Sequence, residues 1–500
     1  MPLRPSAPIG AYASFMVASR WSDKTLKDLQ YGTPAQRELA AGVLRDLVAI
    51  NSEHRNIVMD KGALPVLLEL SRTGTPLARE HAVAAMTSLS FNNAAHQQAI
   101  LEAGGLPVFV EFLAPDISPP LQMHSCGALM FLAALKKRMR YAIVDAGALP
   151  ALVALLQSTS ADVRVRAAGA LRNLVLRVEE HEEALVDAGG IPFLVELLKS
   201  DNPAEQEQAA SAMKNMVVNN NPKTERAIMG AGAAPILIRL LQSGTPEVQA
   251  AVASTLMCLV DRMVEYLASS APGRPQGGAT AIALLAAFGA KNRTAIMDEG
   301  ALPHLVALLH AGDAGAQAWS ATAIKNLMVD SSHYANAVVE EGAIPHLMEL
   351  MGAGNPDDVK EQAASAMRGL ASNKNILHER AVIDGGALPV FVELLKSENP
   401  RVQEQAAGAC RSLAATREEN RKRLVEVQIV QVLVDLLETE DEGLHCEVTA
   451  ALGNLAINPS IAESIVSRRG IDILQQLEIL STKEWQRANA KALLKILKAD

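Results

Sequence analysis

The chain has 500 residues, of which 49% are hydrophobic but only 3% aromatic, and its formal net charge is −9. A core so poor in aromatic residues is built from Ala, Leu, Val, Ile and Met, which suits close helix–helix packing and fits a β-sandwich poorly. The mild acidity gives no global case for nucleic-acid binding, and no apolar run reaches the ~18 residues of a membrane span.

The chain opens MPLRPSAPIG, without a charged start and apolar stretch of secretory type, and Pro2 stands where N-myristoylation needs glycine. The expectation is a soluble intracellular protein, cytoplasmic and also nuclear. Residues 1–21 read as an irregular segment. The cysteines Cys126, Cys258, Cys410 and Cys446 form no CxxC or Cys/His ligand set, so they read as buried free thiols in a reducing compartment.

From there one mark recurs: a glycine followed closely by proline, at Pro65, Pro107, Pro150, Pro192, Pro235, Pro303, Pro345 and Pro389. The intervals are 42, 43, 42, 43, 68, 42 and 44 residues. Weaker copies around Gln431 and Asp472 lack the proline. The glycine suits a left-handed helix end, and the proline suits the first turn of the next helix, where its missing N–H costs nothing. An amphipathic run such as ALVALLQ or FLVELLK follows, then a polar turn such as KSDNPAEQEQ. Last comes an Ala-rich stretch: AAGALRNLV (167–175), AASAMKNMV (209–217), ATAIKNLMV (321–329), AASAMRGLA (363–371) and TAALGNLAI (449–457). Each unit therefore predicts three helices, the third the longest.

Twelve units fit residues 22–498. The first, about 22–49, is partial; the sixth, about 262–290, is irregular and explains the 68-residue interval; the last, about 459–498, acts as a cap. The irregular unit lacks a first helix, carries SSAPGRPQGG (269–278) as an exposed loop, and keeps a third helix at 279–288.

The Gly-Ala-Leu-Pro and Ala-Leu-Arg-Asn-Leu marks at this period resemble the armadillo-repeat family over nearly the whole chain. The resemblance implies an all-α, right-handed superhelical solenoid whose third helices line a concave groove. In that family the third-helix asparagine holds the backbone of an extended peptide. Carried over, this residue is Asn173, Asn215, Asn326 and Asn454; the equivalent positions elsewhere are Asp46, Ser88, Phe131, Cys258, Leu284, Gly369 and Ser412. One residue earlier, the column reads Arg45, Thr87, Met130, Arg172, Lys214, Met257, Ala283, Lys325, Arg368, Arg411 and Gly453, six of eleven basic. In β-catenin-like members such bases pair with acidic ligands, so the resemblance implies a groove for extended acidic or phosphorylated segments. Four residues before the asparagine every side chain is small. Importin-α-like proteins carry Trp there; Trp21, Trp319 and Trp485 all lie elsewhere, which disfavours a basic-peptide receptor. Eight residues before it, Glu38, Glu80, Glu207, Glu361 and Glu404 recur, with Glu447 one place later; helix starts favour such acids.

The chain has no phosphate-binding loop, HExxH, GxSxG or strand-led GxGxxG, so no catalytic residue, cofactor or metal is expected. His304 and His346 follow the recurring proline and read as a repeat feature, not a metal pair. The run Lys136-Lys137-Arg138-Met139-Arg140 reads as a solvated helix surface. The expected function is a non-enzymatic scaffold or adaptor for other proteins, without nucleic acid or membrane insertion. Its alternatives are an organelle-membrane, cytoskeletal or ciliary armadillo scaffold acting through other faces, and a substrate adaptor of a ubiquitin-ligase complex.

Overall fold

A computed structural model describes residues 23–373, 375–467 and 469–498; the segment 1–21, with Trp21, lies outside them. Among the described residues every regular element is helical and no strand occurs. The chain divides into two units, Met1–Leu259 and Val260–Asp500.

In the first unit the third helices are Pro34–Ile50, Pro76–Ser90, Pro119–Leu135, Ala161–Val175, Pro203–Val217 and Pro246–Cys258, each packed on the next. In the second they are Arg274–Ala287, Ala314–Leu327, Asp357–Ser372, Pro400–Thr416, Glu442–Leu455 and Glu484–Leu497, packed in the same succession. Fully buried alanines such as Ala168, Ala210, Ala363 and Ala407 line these contacts and let neighbouring axes come close.

The repeating mark works as its residue types require. Gly62, Gly104, Gly147, Gly189, Gly232, Gly300, Gly342 and Gly386 all have φ between 70° and 89°, a region that L-residues with a Cβ resist. Gln428 (φ 59°) and Arg469 (φ 65°) hold the same conformation in the two weaker copies. Two residues beyond each recurring proline sits an anchor with no exposed surface: Leu67, Phe109, Leu152, Leu194, Leu237, Leu305, Leu347 and Phe391. Each such side chain stabilises its unit by about 1.5–3 kcal/mol.

Neighbouring helices are also tied by side chains that finish each other's open carbonyls. From first helices, Arg55 reaches Val48 O (3.3 Å), Gln97 reaches Ser90 O (2.8 Å), Arg140 reaches Ala133 O (2.9 Å) and Arg421 reaches Ala414 O (3.0 Å). Each target is seven residues back, in the last turn of the preceding third helix, where carbonyls lack helical partners. From third helices, Arg79, Gln317 and Gln403 do the same for the second helix, eight residues back, and Gln122 reaches Ala114 O in the turn after its second helix.

Four expectations need correction. The irregular unit is the seventh in order, not the sixth, because the helices of the sixth run to Cys258. It lacks a first helix, consisting of Val260–Leu267 and Arg274–Ala287. Its segment 269–278 is not all loop: the third helix begins at Arg274, with Gly273 at φ 75° before it and Pro275 in its first turn. Gly278 is buried there, and a Cβ on it would lie 2.8 Å from Met263 O; the glycines permit close helix contact. The cysteines also differ from one another: Cys126 and Cys410 are buried, Cys258 half-buried and Cys446 exposed. Arg140 of the basic run is buried too, its guanidinium shared between Ala133 O and Leu176 O. No helix among the described residues is long and apolar enough to cross a membrane.

Candidate functional site

The third-helix row brings the two sequence columns into one register. Asn173 Nδ2 donates to Met130 O (2.9 Å), Asn215 to Arg172 O (2.9 Å), Asn326 to Ala283 O (2.8 Å) and Asn454 to Arg411 O (3.1 Å). In every case the acceptor is the residue of the neighbouring column, one unit earlier. One amide N–H of each asparagine is thus spent joining third helices, leaving its carbonyl oxygen and second N–H for other partners. Asn173 already uses its Oδ1 to accept from Arg172 Nε at 3.3 Å.

The small residues four places before the asparagines have a related cause. A Cβ on Gly169 would lie 2.7 Å from Met130 Sδ, and one on Gly408 would lie 2.5 Å from Arg368 Cζ. Side chains of one unit lie across the third helix of the next, and only a small residue leaves room.

The basic column does not act as one set. In the second unit Arg368 Nη2 lies 2.7 Å from Glu447 Oε1, and Arg411 Nε lies 2.9 Å from Glu447 Oε2. Glu447 is only 13% exposed. It bridges the two guanidinium groups within the protein and offsets one of their two charges, and Gln405 Oε1 accepts a further bond from Arg368 at 3.3 Å. Among the described residues Arg172, Lys214 and Lys325 form no ion pair. Burial lowers the Lys325 ammonium from its ordinary range, with Glu361 opposing the shift. Burial likewise lowers Arg172, opposed by Glu207.

The first unit carries a hollow of about 590 Å³ beside its own third helices, lined by Arg45, Arg55, Phe91, His124, Phe131 and Arg166 among others. Phe91 and Phe131 meet edge to face, with centroids 5.0 Å apart, and the Arg55 guanidinium lies 5.6 Å above the Phe91 ring. Arg45 pairs with Asp46 at 2.8 Å. Arg166 is exposed and forms no ion pair among the described residues. Burial, reinforced by Arg166 and Arg45, pushes the His124 imidazole down to about 4; it is neutral near pH 7. The hollow therefore joins an aromatic wall to a cationic rim.

Sequence reasoning missed one column. Seven residues before the asparagine position, close to two helical turns and so on the same stripe, lie His81, His124, Arg166, Gln208, Trp319, Gln362, Gln405 and Glu447. Arg166 and Glu447 hold equivalent places with opposite charge. The seven-residue spacing was the available signal.

The only group of metal-capable side chains among the described residues is His310, His346 and Glu349; His346 lies beside His310 in this group, which does not include His304.

The Armadillo/beta-catenin-like repeat model matches residues 136–176, 179–218, 331–372, 378–415 and 417–457. Among solved structures, the chain is similar to an engineered protein at 30% identity, covering 88% of this chain and 99% of that one, with a TM-score of 0.43. It is also similar to a designed armadillo repeat protein (26% identity, 48% and 99% covered, TM-score 0.44). A further similar structure is a designed armadillo repeat protein in complex with the peptide (KR)4 (25% identity, 47% and 99% covered, TM-score 0.44). No curated protein matches the chain. Such repeat arrays generally present extended surfaces for binding other proteins. Five matched repeats, within a chain whose helices recur in the same three-helix order, place it in the armadillo-repeat family.

Proposed function

We propose that this chain is a non-enzymatic scaffold that holds an extended acidic partner segment along the third-helix face of its first unit. The observation that carries this reading is the aromatic-walled hollow rimmed by Arg45, Arg55 and Arg166, set in a chain of net charge −9. A carboxylate or phosphate would pair with Arg166, whose guanidinium offers a planar fork of donors. A neighbouring apolar or aromatic residue would pack on Phe91 and Phe131. Arg172 and Lys214, farther along the same face, would meet further acids, and the side-chain carbonyl of Asn215 would accept from the segment's backbone. The corresponding face of the second unit supports this less, since Glu447 already occupies Arg368 and Arg411.

Fluorescence anisotropy with acidic, phosphorylated and basic peptides tests the reading. Acidic peptides containing an aromatic residue should bind in a salt-sensitive way, and Arg166→Glu should weaken them by roughly tenfold or more. Arg368→Glu should matter less. Equal binding of acidic and basic peptides, or unchanged acidic-peptide binding in an Arg166→Glu, Lys214→Glu double variant, would sink the proposal.

A further inference from the structure

A second site lies on the second helices, apart from the third-helix face. His310 is the penultimate residue of helix Ala301–Ala311, and His346 and Glu349 stand one turn apart on helix Ala343–Leu350, which packs against it. Glu349 Oε2 lies 3.6 Å from His310 Nδ1 and also 3.6 Å from His346 Nδ1. The two imidazoles are 5.1 Å apart between centroids, and one ligand atom from each of the three residues falls within 4.8 Å of the others.

These separations are not those of a hydrogen-bonded triad. Each nitrogen–oxygen distance is too long for a good hydrogen bond, and His346 Nδ1 is shut off from solvent with no hydrogen-bond partner. They do fit the edge of a coordination tetrahedron: with metal–nitrogen and metal–oxygen bonds of about 2.0–2.2 Å, neighbouring ligand atoms stand roughly 3.4 Å apart. The negative end of helix Ala301–Ala311 adds a favourable field for a cation at His310.

The geometry points to a divalent metal site of the zinc class, with two imidazoles and one carboxylate as protein ligands. His310 and Glu349 are 67% and 65% exposed, so the fourth position faces solvent and is open to water or to a ligand from a partner. Imidazole with carboxylate selects zinc, nickel or cobalt over magnesium or calcium, which prefer all-oxygen sets. The ion would tie the second helices of two consecutive units. This inference is independent of the peptide-binding reading.

Full-length protein, freed of metal with chelator, should bind Zn2+ at a specific site by isothermal titration calorimetry, with a rise in melting temperature. Co2+ in the same site should give the visible absorption of a low-coordinate N/O site. His310→Ala, His346→Ala and Glu349→Gln should each weaken Zn2+ binding by more than about tenfold, at least the loss seen on removing an outer supporting group. His304→Ala, at the equivalent of His346 one unit earlier, should leave it unchanged. Absence of specific binding in the wild type, or binding that survives in all three variants, would overturn the assignment. Should His346→Ala unfold the chain, the exposed His310→Ala variant decides.

Discussion

Arg368 reaches Glu447, 79 residues further along the chain, at 2.7 Å, after crossing the surface of the unit that lies between them. Its guanidinium lies against Gly408 of that intermediate unit, where a Cβ would come within 2.5 Å. The same carboxylate holds Arg411. Three consecutive units are thus joined through one acid. Glu447→Ala should lower stability by about 1–3 kcal/mol, because it leaves two part-buried guanidinium groups without their charged partner. It should also raise the affinity of the second unit for acidic peptides. Urea unfolding and peptide anisotropy on the same variant check both effects; a loss of stability with no gain in acidic-peptide binding would show that the freed bases are not accessible to a ligand.

The left-handed positions offer a matched pair of substitutions. Gln428 has φ 59° where every counterpart but Arg469 is glycine, a conformation that costs a residue with a Cβ about 1 kcal/mol. Gln428→Gly should therefore stabilise the chain, by up to about 1 kcal/mol less the entropy that glycine adds to the unfolded state. Gly147→Ala, at φ 81° with nothing within 4 Å of the added Cβ, should destabilise by about 1 kcal/mol through the backbone alone. Denaturant midpoints of the two variants should move in opposite directions.

Glu182 has no exposed surface, and its Oε1 accepts from Asn219 Nδ2 at 2.5 Å while Oε2 has no partner. Burial raises its carboxyl to about 7, the Asn219 bond opposes this, and Glu179, Glu183 and Glu180 reinforce it. A carboxyl raised in the folded state favours folding while it is protonated. That contribution is complete below the ordinary value of about 4.5 and is lost as pH rises through about 7. Glu182→Gln keeps an acceptor for Asn219 and cannot ionise. It should stabilise the chain on the order of 2 kcal/mol above pH 7 and make little difference below pH 4.5. Unfolding curves between pH 4 and 8 check the sign; an equal effect at both ends would exclude titration of Glu182 as its cause.

Asn215 should reveal whether the asparagine ladder serves the scaffold as well as a ligand. Asn215→Ala removes the bond to Arg172 O and should cost about 1 kcal/mol. Hydrogen exchange should quicken in the third helices 161–175 and 203–217. A change in peptide affinity without a change in exchange would assign the residue to ligand contact alone.

The three-helix unit was legible in the sequence because it rests on local rules. Glycine takes the left-handed position, proline opens a helix, and an anchor two residues later is wholly buried, as Leu152 and Phe391 are. The basic column was legible as a column but not as a charge pattern. The partner of Arg368 is 79 residues away, and Glu447 stands one place out of the series of helix-start acids. That displacement is what turns it onto the stripe of Asn454, seven residues on. Phe131 takes the place of asparagine in its column; packed on Phe91, it forms the wall of a hollow. The partnership of His310 with His346 was hidden because the 42-residue rhythm pairs His346 with His304. Side-chain length and helix ends, not the period, decide which imidazoles meet.

The guanidinium of Arg140 touches carbonyls on both sides of its own helix, Ala133 behind and Leu176 ahead, and Arg55, Gln97 and Arg421 each complete a turn made before them. Every such turn thus relies on residues translated after it. A fragment ending at Leu135 would leave Ala133 without that donor, whereas one ending at Asp145 would retain it. Where this protein is shortened, the cut belongs after a first helix, because a cut just before one leaves a frayed end that loosens its predecessor.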